Sequence, residues 1–353
     1  MGVKGGDGVL KLYEIDPVRD PRWLDLIQRS DASSIFHTPG WLETLRRTYE
    51  YEPVAFTDSA PGTPLNNGLL FCRVSSWLTG RRLVSLPFSD HCAPLVESPE
   101  ALKAMLESLK AEIGREGRYI ELRPLSPLTV AEGFERAAEY CLHTIDLRPE
   151  LDGVFAAFHK SHIQRTIRKA ERSGLSCEVG NSATLIREFY ALHELTRFKH
   201  GAPIQPLSWF QNLADSLGDR MKVYVARVEG KPAAAILTSL HRTTLVYKYG
   251  CSDAAYNRYG GTPLLFWNAI KDAKANGVVA FDLGRSDLDN EGLLAFKDHL
   301  GGQRTALNYY RFSGKPAQAS ATRWKPAIAK HVFSLVPKTF QARVGSGLYR
   351  HFG

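Results

Sequence analysis

Apolar and polar positions along the chain mark out short elements. Residues 10–15 alternate as a strand does, while residues 21–29 and 41–49 carry apolar side chains at helical spacing, the second run opening just after Pro39. Strand-like runs follow at residues 53–57, 69–74 and 83–87. A helix over 99–113 is stopped by Gly114 and Gly117, and a strand covers 119–122. Beyond residue 220 the order returns. Strands at 222–228 and 233–240 flank a Glu229-Gly230 turn, and a third strand covers 244–250. The turn Tyr259-Gly260-Gly261-Thr262-Pro263 opens a helix over 264–275, Asn276-Gly277 closes it, and a strand covers 278–283. Both halves run strand, strand, strand, helix, strand. That repetition predicts an α/β (α+β) protein of two tandem domains of one topology, each a mixed sheet flanked by helices. The expected division is 1–145, 146–314 and a tail over 315–353.

Composition narrows the classes. Of 353 residues, 44% are hydrophobic and 23% charged, which excludes a disordered, collagen-like or coiled-coil chain. The formal net charge of +8 is local: residues 315–353 hold seven Lys/Arg and no acid, leaving the body at 38 − 37 = +1. A nearly neutral body argues against general nucleic-acid binding. Basic residues mixed with Trp324, Phe333, Phe340 and Tyr349 make the tail suited to an anionic membrane surface, or to packing on the body. No run is long enough to span a bilayer, and the first residues lack the apolar stretch of a secretory signal. Cys72, Cys92, Cys141, Cys177 and Cys251 are odd in number and form no Cys-x-x-Cys, so buried free thiols are expected. The implied location is cytoplasmic, peripheral at the inner face of the membrane.

Five segments can carry chemistry. In residues 159–174, Arg165, Arg168, Lys169 and Arg172 share one side of a helix, which suits phosphate or is simply a solvated face. The turn from Arg258 through Gly260 and Gly261 can offer backbone N–H groups to a pyrophosphate, or be only a turn. Residues 281–287 form an apolar strand that becomes polar at its end. There Asp282 or Asp287 is a candidate base, and Arg285 and Lys297 are candidate anion holders; the plain alternative is a capped loop. Asp90-His91 can accept a proton. Zinc held by Cys72, His91 and Cys92 lacks ligand spacing, so no metal is expected. Residues 192–201 read as a helix end and a basic loop, either one that closes over substrate or plain helix termination. No nucleophile elbow, Walker A loop or dinucleotide fingerprint occurs.

Several motifs together resemble a known family. They are R-x-x-x-K-A-x-x-x-G from Arg165 to Gly174, Y-x-Y-G at Tyr247 to Gly250, the glycine turn with its helix, D-L-G-R-S from Asp282 to Ser286, and F-K-x-x-L-G-G from Phe296 to Gly302. Their order resembles the GNAT acyltransferases, nearest the Fem-like or BioF2-like branch with two GNAT-like domains. Phe36-His37-Thr38-Pro39-Gly40-Trp41 is similar to that branch too. The resemblance spans roughly residues 10 to 312. It implies transfer of an acyl or aminoacyl group to an amine of a cell-envelope or exopolysaccharide precursor. No tightly bound cofactor is implied; acyl-CoA or aminoacyl-tRNA serves as donor, and a small-molecule or lipid-linked molecule as acceptor. Asp90, His91, Lys248, Arg285 and Lys297 become the implied catalytic set. His37, Trp41, Arg165, Arg168, Tyr247, Tyr249, Arg258, Gly260 and Gly261 become the implied binding set, with Asp90 and His91 approaching an acceptor cleft opposite Tyr247, Lys248, Arg285 and Lys297. Two departures point to tRNA or to a degenerate binding or scaffold protein. Pro263 removes an N–H from the pyrophosphate turn, and Phe296 lies where many relatives keep a tyrosine acid. No heptad arm for tRNA is visible, so the helix with Arg165 and Arg168 is the expected tRNA contact.

Overall fold

The computed structural model describes residues 10–76, 80–113, 119–128 and 131–313. The basic tail, 315–353, lies outside the described residues. Those described fall into two compact units, one of residues 10–139 with 307–313 and one of residues 140–306.

The first unit begins with β1 (Tyr13–Ile15), α1 (Pro21–Arg29), α2 (Pro39–Tyr49), β2 (Glu52–Thr57), β3 (Leu69–Ser76), β4 (Gly80–Val84), α3 (Pro99–Ile113) and β5 (Tyr119–Leu122). Both early helices start as their sequences dictate. Asp20 accepts the Arg22 N–H at 3.0 Å ahead of Pro21, and the Thr38 hydroxyl accepts the Trp41 N–H at 3.4 Å ahead of Pro39. β1 to β4 are antiparallel neighbours, while β5 lies parallel to β4. A parallel neighbour needs a crossover, which α3 supplies. Its Leu102, Met105, Leu106 and Leu109 form one apolar face, buried with Val54, Phe71 and Ile120.

The second unit continues with β6 (Glu135–Asp146), α4 (Leu151–Ala157), a π-helical turn (Lys160–Gln164), α5 (Arg165–Arg172), β7 (Ser176–Gly180), α6 (Ala183–Lys199), α7 (Leu207–Leu217), β8 (Met221–Val228), β9 (Lys231–His241) and β10 (Thr244–Ser252). α8 (Gly261–Ala275), β11 (Ala280–Ser286), α9 (Glu291–His299) and β12 (Gln303–Ser313) complete the chain. β7 to β10 are antiparallel neighbours, β11 is parallel to β10 across α8, and β6 is antiparallel to β11. Strand order therefore repeats that of the first unit, as the sequence predicts.

Where the sixth strand of each sheet comes from was not foreseen, although a last strand at 306–312 is legible in the sequence. Residues 141–146 of β6 pair with β11 in the second unit, and residues 310–313 of β12 pair with β5 in the first. Each half of the sequence thus lends its last strand to the other unit, whereas the sequence pattern placed a boundary at 145 and read no strand between 123 and 145. In the first unit β12 also brings Arg311 to Glu121, which is buried and held by Arg123 as well, at 2.6 and 2.8 Å. Burial alone would raise this carboxyl, but the two guanidiniums more than offset it and hold it at about 2.

Cys72, Cys92, Cys141 and Cys251 are buried free thiols as expected, but Cys177 is exposed on β7. Among the described residues no helix is long and apolar enough to cross a membrane.

Candidate active site

The second sheet opens at one place. β10 and β11 pair only through Thr244–Ala280, Leu245–Phe281 and Val246–Asp282. Beyond that point β10 continues beside β9, and β11 continues beside β6. Both strands lose their regular register just past the parting. β10 slips against β9 between Tyr247 and Tyr249, and β11 slips against β6 between Asp282 and Arg285. The cause in β11 is local. Gly284 has φ +72°, a conformation that glycine adopts without strain. The Asp282 carboxylate accepts the Gly284 N–H at 2.7 Å. Lys297, buried on α9, then donates its ammonium to the carbonyls of Gly284 at 2.8 Å and Arg285 at 3.3 Å.

These contacts correct two expectations. Lys297 holds the strand end; it is a positioning residue more than an anion holder. Asp282 shapes the turn and is 5% exposed, which makes it a poor base for an incoming amine. Arg285 is half-buried, with its guanidinium 4.1 Å from the centre of the Tyr140 ring. Lys248, at the slip in β10, lies with its ammonium 5.7 Å from the Tyr249 ring centre. Ser286 ends β11. Its hydroxyl is buried, with no hydrogen-bond partner among the described residues. Sequence reasoning missed both Tyr140 and Ser286; the S of the D-L-G-R-S motif was the available signal for the second.

Tyr247 and Tyr249 belong to packed aromatic groups. Tyr247 lies on Phe266 of α8, at 4.8 Å between ring centres. The Tyr249 hydroxyl accepts the Trp209 indole N–H at 3.0 Å, and its ring packs edge-on to Phe210 and His193. His193 lies in the segment expected to end a helix and form a closing loop. The helix end falls late in that segment: α6 runs to Lys199, and His193 is buried within it. Its Nε2–H donates to Gln205 Oε1 at 2.9 Å, while Nδ1 has no partner among the described residues. A second proton would be buried and unpaired, so burial pushes this imidazole down to about 4. Folding therefore favours the neutral ring. Its stabilisation is complete above the unfolded value near 6.5 and fades as pH falls toward 4. Between pH 7 and pH 4.5 the wild type is expected to lose roughly 2–3 kcal/mol more than His193→Phe, read by urea denaturation at both pH values. Equal losses in the two proteins would refute this role.

The glycine turn is explained by packing. A Cβ on Gly260 would lie 2.5 Å from Thr166 Cγ2, and one on Gly261 would lie 3.2 Å and 3.3 Å from the Cβ atoms of Ala234 and Ala226. Both glycines are buried between α5 and the sheet, which corrects their reading as a ligand-lined loop. Gly260 gives its N–H to Asn257 O at 3.1 Å and Pro263 has none, so Gly261 and Thr262 hold what remains of the first turn's donors. Arg258 is exposed and lies over Tyr259, whose hydroxyl it also reaches at 3.0 Å. Arg165 and Arg168 are exposed on α5, Arg168 over the Phe155 ring at 5.3 Å.

The first-unit candidates divide differently. His37 and Trp41 are fully buried, so neither can touch substrate. His37 Nδ1 receives the Ser34 N–H, and its Nε2 lies 2.9 Å from Ala93 O, while Trp41 packs edge-on to Phe36. These two residues fasten the entry to α2. His91 is 4% exposed, also edge-on to Phe36. Asp90 is half-buried, and its carbonyl accepts the Tyr309 hydroxyl at 2.6 Å.

Comparison with known proteins accounts for this architecture. Residues 157–298 match the model of the acetyltransferase (GNAT) domain. Over 143 residues the chain is 27% identical to a UDP-N-acetylmuramoylpentapeptide-lysine N(6)-alanyltransferase of Weissella viridescens. That match covers 39% of this chain and 42% of the relative, so it spans less than half of either. FemX shares the fold with a TM-score of 0.67 at 14% identity, over 86% of this chain and 97% of that one. A tandem GNAT protein from the clavulanic acid biosynthesis pathway does so with a TM-score of 0.56 at 12% identity, over 87% and 100% of the two chains. The fold is that of the tandem GNAT proteins, α/β with a mixed sheet flanked by helices. Within that superfamily, the comparisons together support a place for this chain on the Fem-like branch.

Proposed function

We propose that the chain is an N-acyl- or aminoacyltransferase that acts on an amine of a cell-envelope precursor. The observation that carries this reading is the opened pair of parallel strands, β10 and β11, inside the segment that matches the GNAT domain. Past Val246 the pairing of β10 with β11 ends, and the two strands part. An extended, amide-bearing substrate, whether a donor arm or the peptide of the acceptor, can lie along such parted strands as an added strand. This would hold the reacting groups in place while the amine attacks the acyl carbon.

Chemistry there needs little more than position. The amine lone pair forms a bond to the carbonyl carbon, and charge gathers on the oxygen. The intermediate then expels the donor's sulfur or ribose oxygen, and the nitrogen gives up a proton. Backbone N–H groups at the parting, with Lys248 and Arg285 on the two parted strands, are the proposed stabilisers of that charge. Lys297 acts through β11, keeping its end in place.

Aminoacyl-tRNA is the donor this reading favours. The first turn of α8 has lost donors to Pro263 and to the Gly260–Asn257 bond, which weakens it as a pyrophosphate cradle. In addition, the relative from Weissella is named as an alanyltransferase. The amine acceptor would then be a lysine-bearing muramoyl-peptide precursor. The test incubates purified protein with radiolabelled alanyl-tRNA or acetyl-CoA and UDP-N-acetylmuramoyl-pentapeptide. Label moving from tRNA to the peptide is expected. Transfer from acetyl-CoA alone would reverse the donor, and transfer from neither would favour a binding protein that keeps the fold without the reaction.

A further inference from the structure

Three histidines come together where α9 ends and the π-helical turn begins. His159 precedes the π-helical turn, His162 lies within it, and His299 ends α9. One ring nitrogen from each lies within 4.8 Å of the other two, which makes this a group fit to hold a metal ion among the described residues. His159 and His162 are exposed and His299 is half-buried. Ring centres stand 4.5 to 4.7 Å apart, and the His162 and His299 rings are parallel.

From this geometry we propose a divalent transition-metal site of the zinc class, held by His159, His162 and His299. Three imidazoles suit zinc, which takes nitrogen at about 2.0–2.1 Å in a tetrahedron. Nitrogen atoms around such an ion stand about 3.4 Å apart, so the widest pair has at most about 1.4 Å to close. The exposed His159 and His162 rings can make up this distance by turning about χ1 and χ2. The backbone beneath them is already set. His159 N–H donates to His299 O at 2.8 Å, which ties the two ligand-bearing segments directly. Ile163 and Gln164 N–H both return to His159 O, at 3.0 and 3.2 Å. Gln164 Nε2 donates to Phe158 O at 2.8 Å. Gly301, just past His299, packs on Ala157, where a Cβ would meet the Ala157 carbonyl oxygen at 3.3 Å. The ligands therefore need no large rearrangement of the chain.

Binding has a local chemical consequence. His159 Nδ1 accepts the His162 N–H at 3.3 Å, which leaves the proton of a neutral His159 ring on Nε2. Coordination through Nε2 sends the proton to Nδ1. The long bond from His162 N–H is given up, and Nδ1–H turns to Ser161 Oγ, now at 3.3 Å. That hydroxyl becomes the outer partner that ligating histidines usually have. Three protein ligands leave the fourth position to water. Because α9 also carries Lys297, the ion would fasten that helix to the segment entering α5.

The experiment uses the full chain, stripped with chelator and dialysed, and titrates it with zinc sulfate by calorimetry and with cobalt chloride by visible absorption. Expected are one zinc ion per chain, an intense four-coordinate cobalt spectrum, and a rise in the thermal midpoint with metal. His162→Gln and His299→Gln should each weaken zinc binding at least tenfold and abolish the midpoint rise. His200→Gln, an exposed histidine elsewhere, should change neither. Unaltered midpoints without metal would show that the variants are folded. Zinc bound equally by the wild type and by the His162→Gln/His299→Gln protein, or a weak six-coordinate cobalt spectrum, means an adventitious ion only and overturns the proposal.

Discussion

Replacing Lys297 with Met is expected to destabilise the protein by about 2 kcal/mol and to reduce transfer at least tenfold. Methionine preserves most of the buried stem, so packing changes little. What disappears is the donor to the Gly284 and Arg285 carbonyls, at 2.8 and 3.3 Å in the wild type. A buried acceptor left without a partner costs roughly 1–3 kcal/mol. Lys297→Ala adds a cavity, and a further loss of about 1–2 kcal/mol is expected on top. Urea denaturation reads stability, and initial rates under saturating donor read transfer. Were Lys297 to hold an anionic substrate instead, K297M would lose activity with stability intact. A stable but inactive K297M would restore it to the catalytic set.

Gly260→Ala is the second large effect. Gly260 has φ +76°, where an alanine is strained by about 1–2 kcal/mol. Its new Cβ would also stand 2.5 Å from Thr166 Cγ2 and 3.2 Å from the Thr166 carbonyl oxygen. The expected loss is about 3 kcal/mol, since overpacking adds to the backbone strain. Thr166→Ser removes only the offending methyl and keeps the hydroxyl that donates to His162 O at 2.8 Å. In that background Gly260→Ala should recover about 1 kcal/mol, a coupling that a double-mutant cycle measures directly. If G260A keeps full stability yet loses donor binding, the turn is a ligand loop after all and the packing account fails.

The repeat of elements was readable from residues alone because its signals are local. Proline at the first helical turn, a side-chain cap before it, and glycine after the last turn act within a few residues, and α1, α2 and α8 show them at work. The site was readable only in part. D-L-G-R-S drew attention to the right strand, and the parting of β10 and β11 lies there. The roles within it were not readable. Asp282 and Lys297 have the residue types of catalysis, but they are spent on a glycine N–H and on two carbonyls. His37 and Trp41 have the types of a binding site and are buried framework. A titratable or aromatic side chain announces a capacity; its neighbours in space decide whether that capacity is already used.

By itself, the sequence determined the strand, strand, strand, helix, strand order that the two halves share, and hence the fold class. Periodicity and capping depend on contacts only a few residues apart, so they survive in a one-dimensional reading. Tertiary structure alone decided which sheet β6 and β12 would complete, where the parallel strands part, and that His299 meets His159 and His162. An alternating segment shows which of its faces is buried and says nothing about which edge it will join. Those choices rest on pairings between residues far apart in the chain, which no local pattern records.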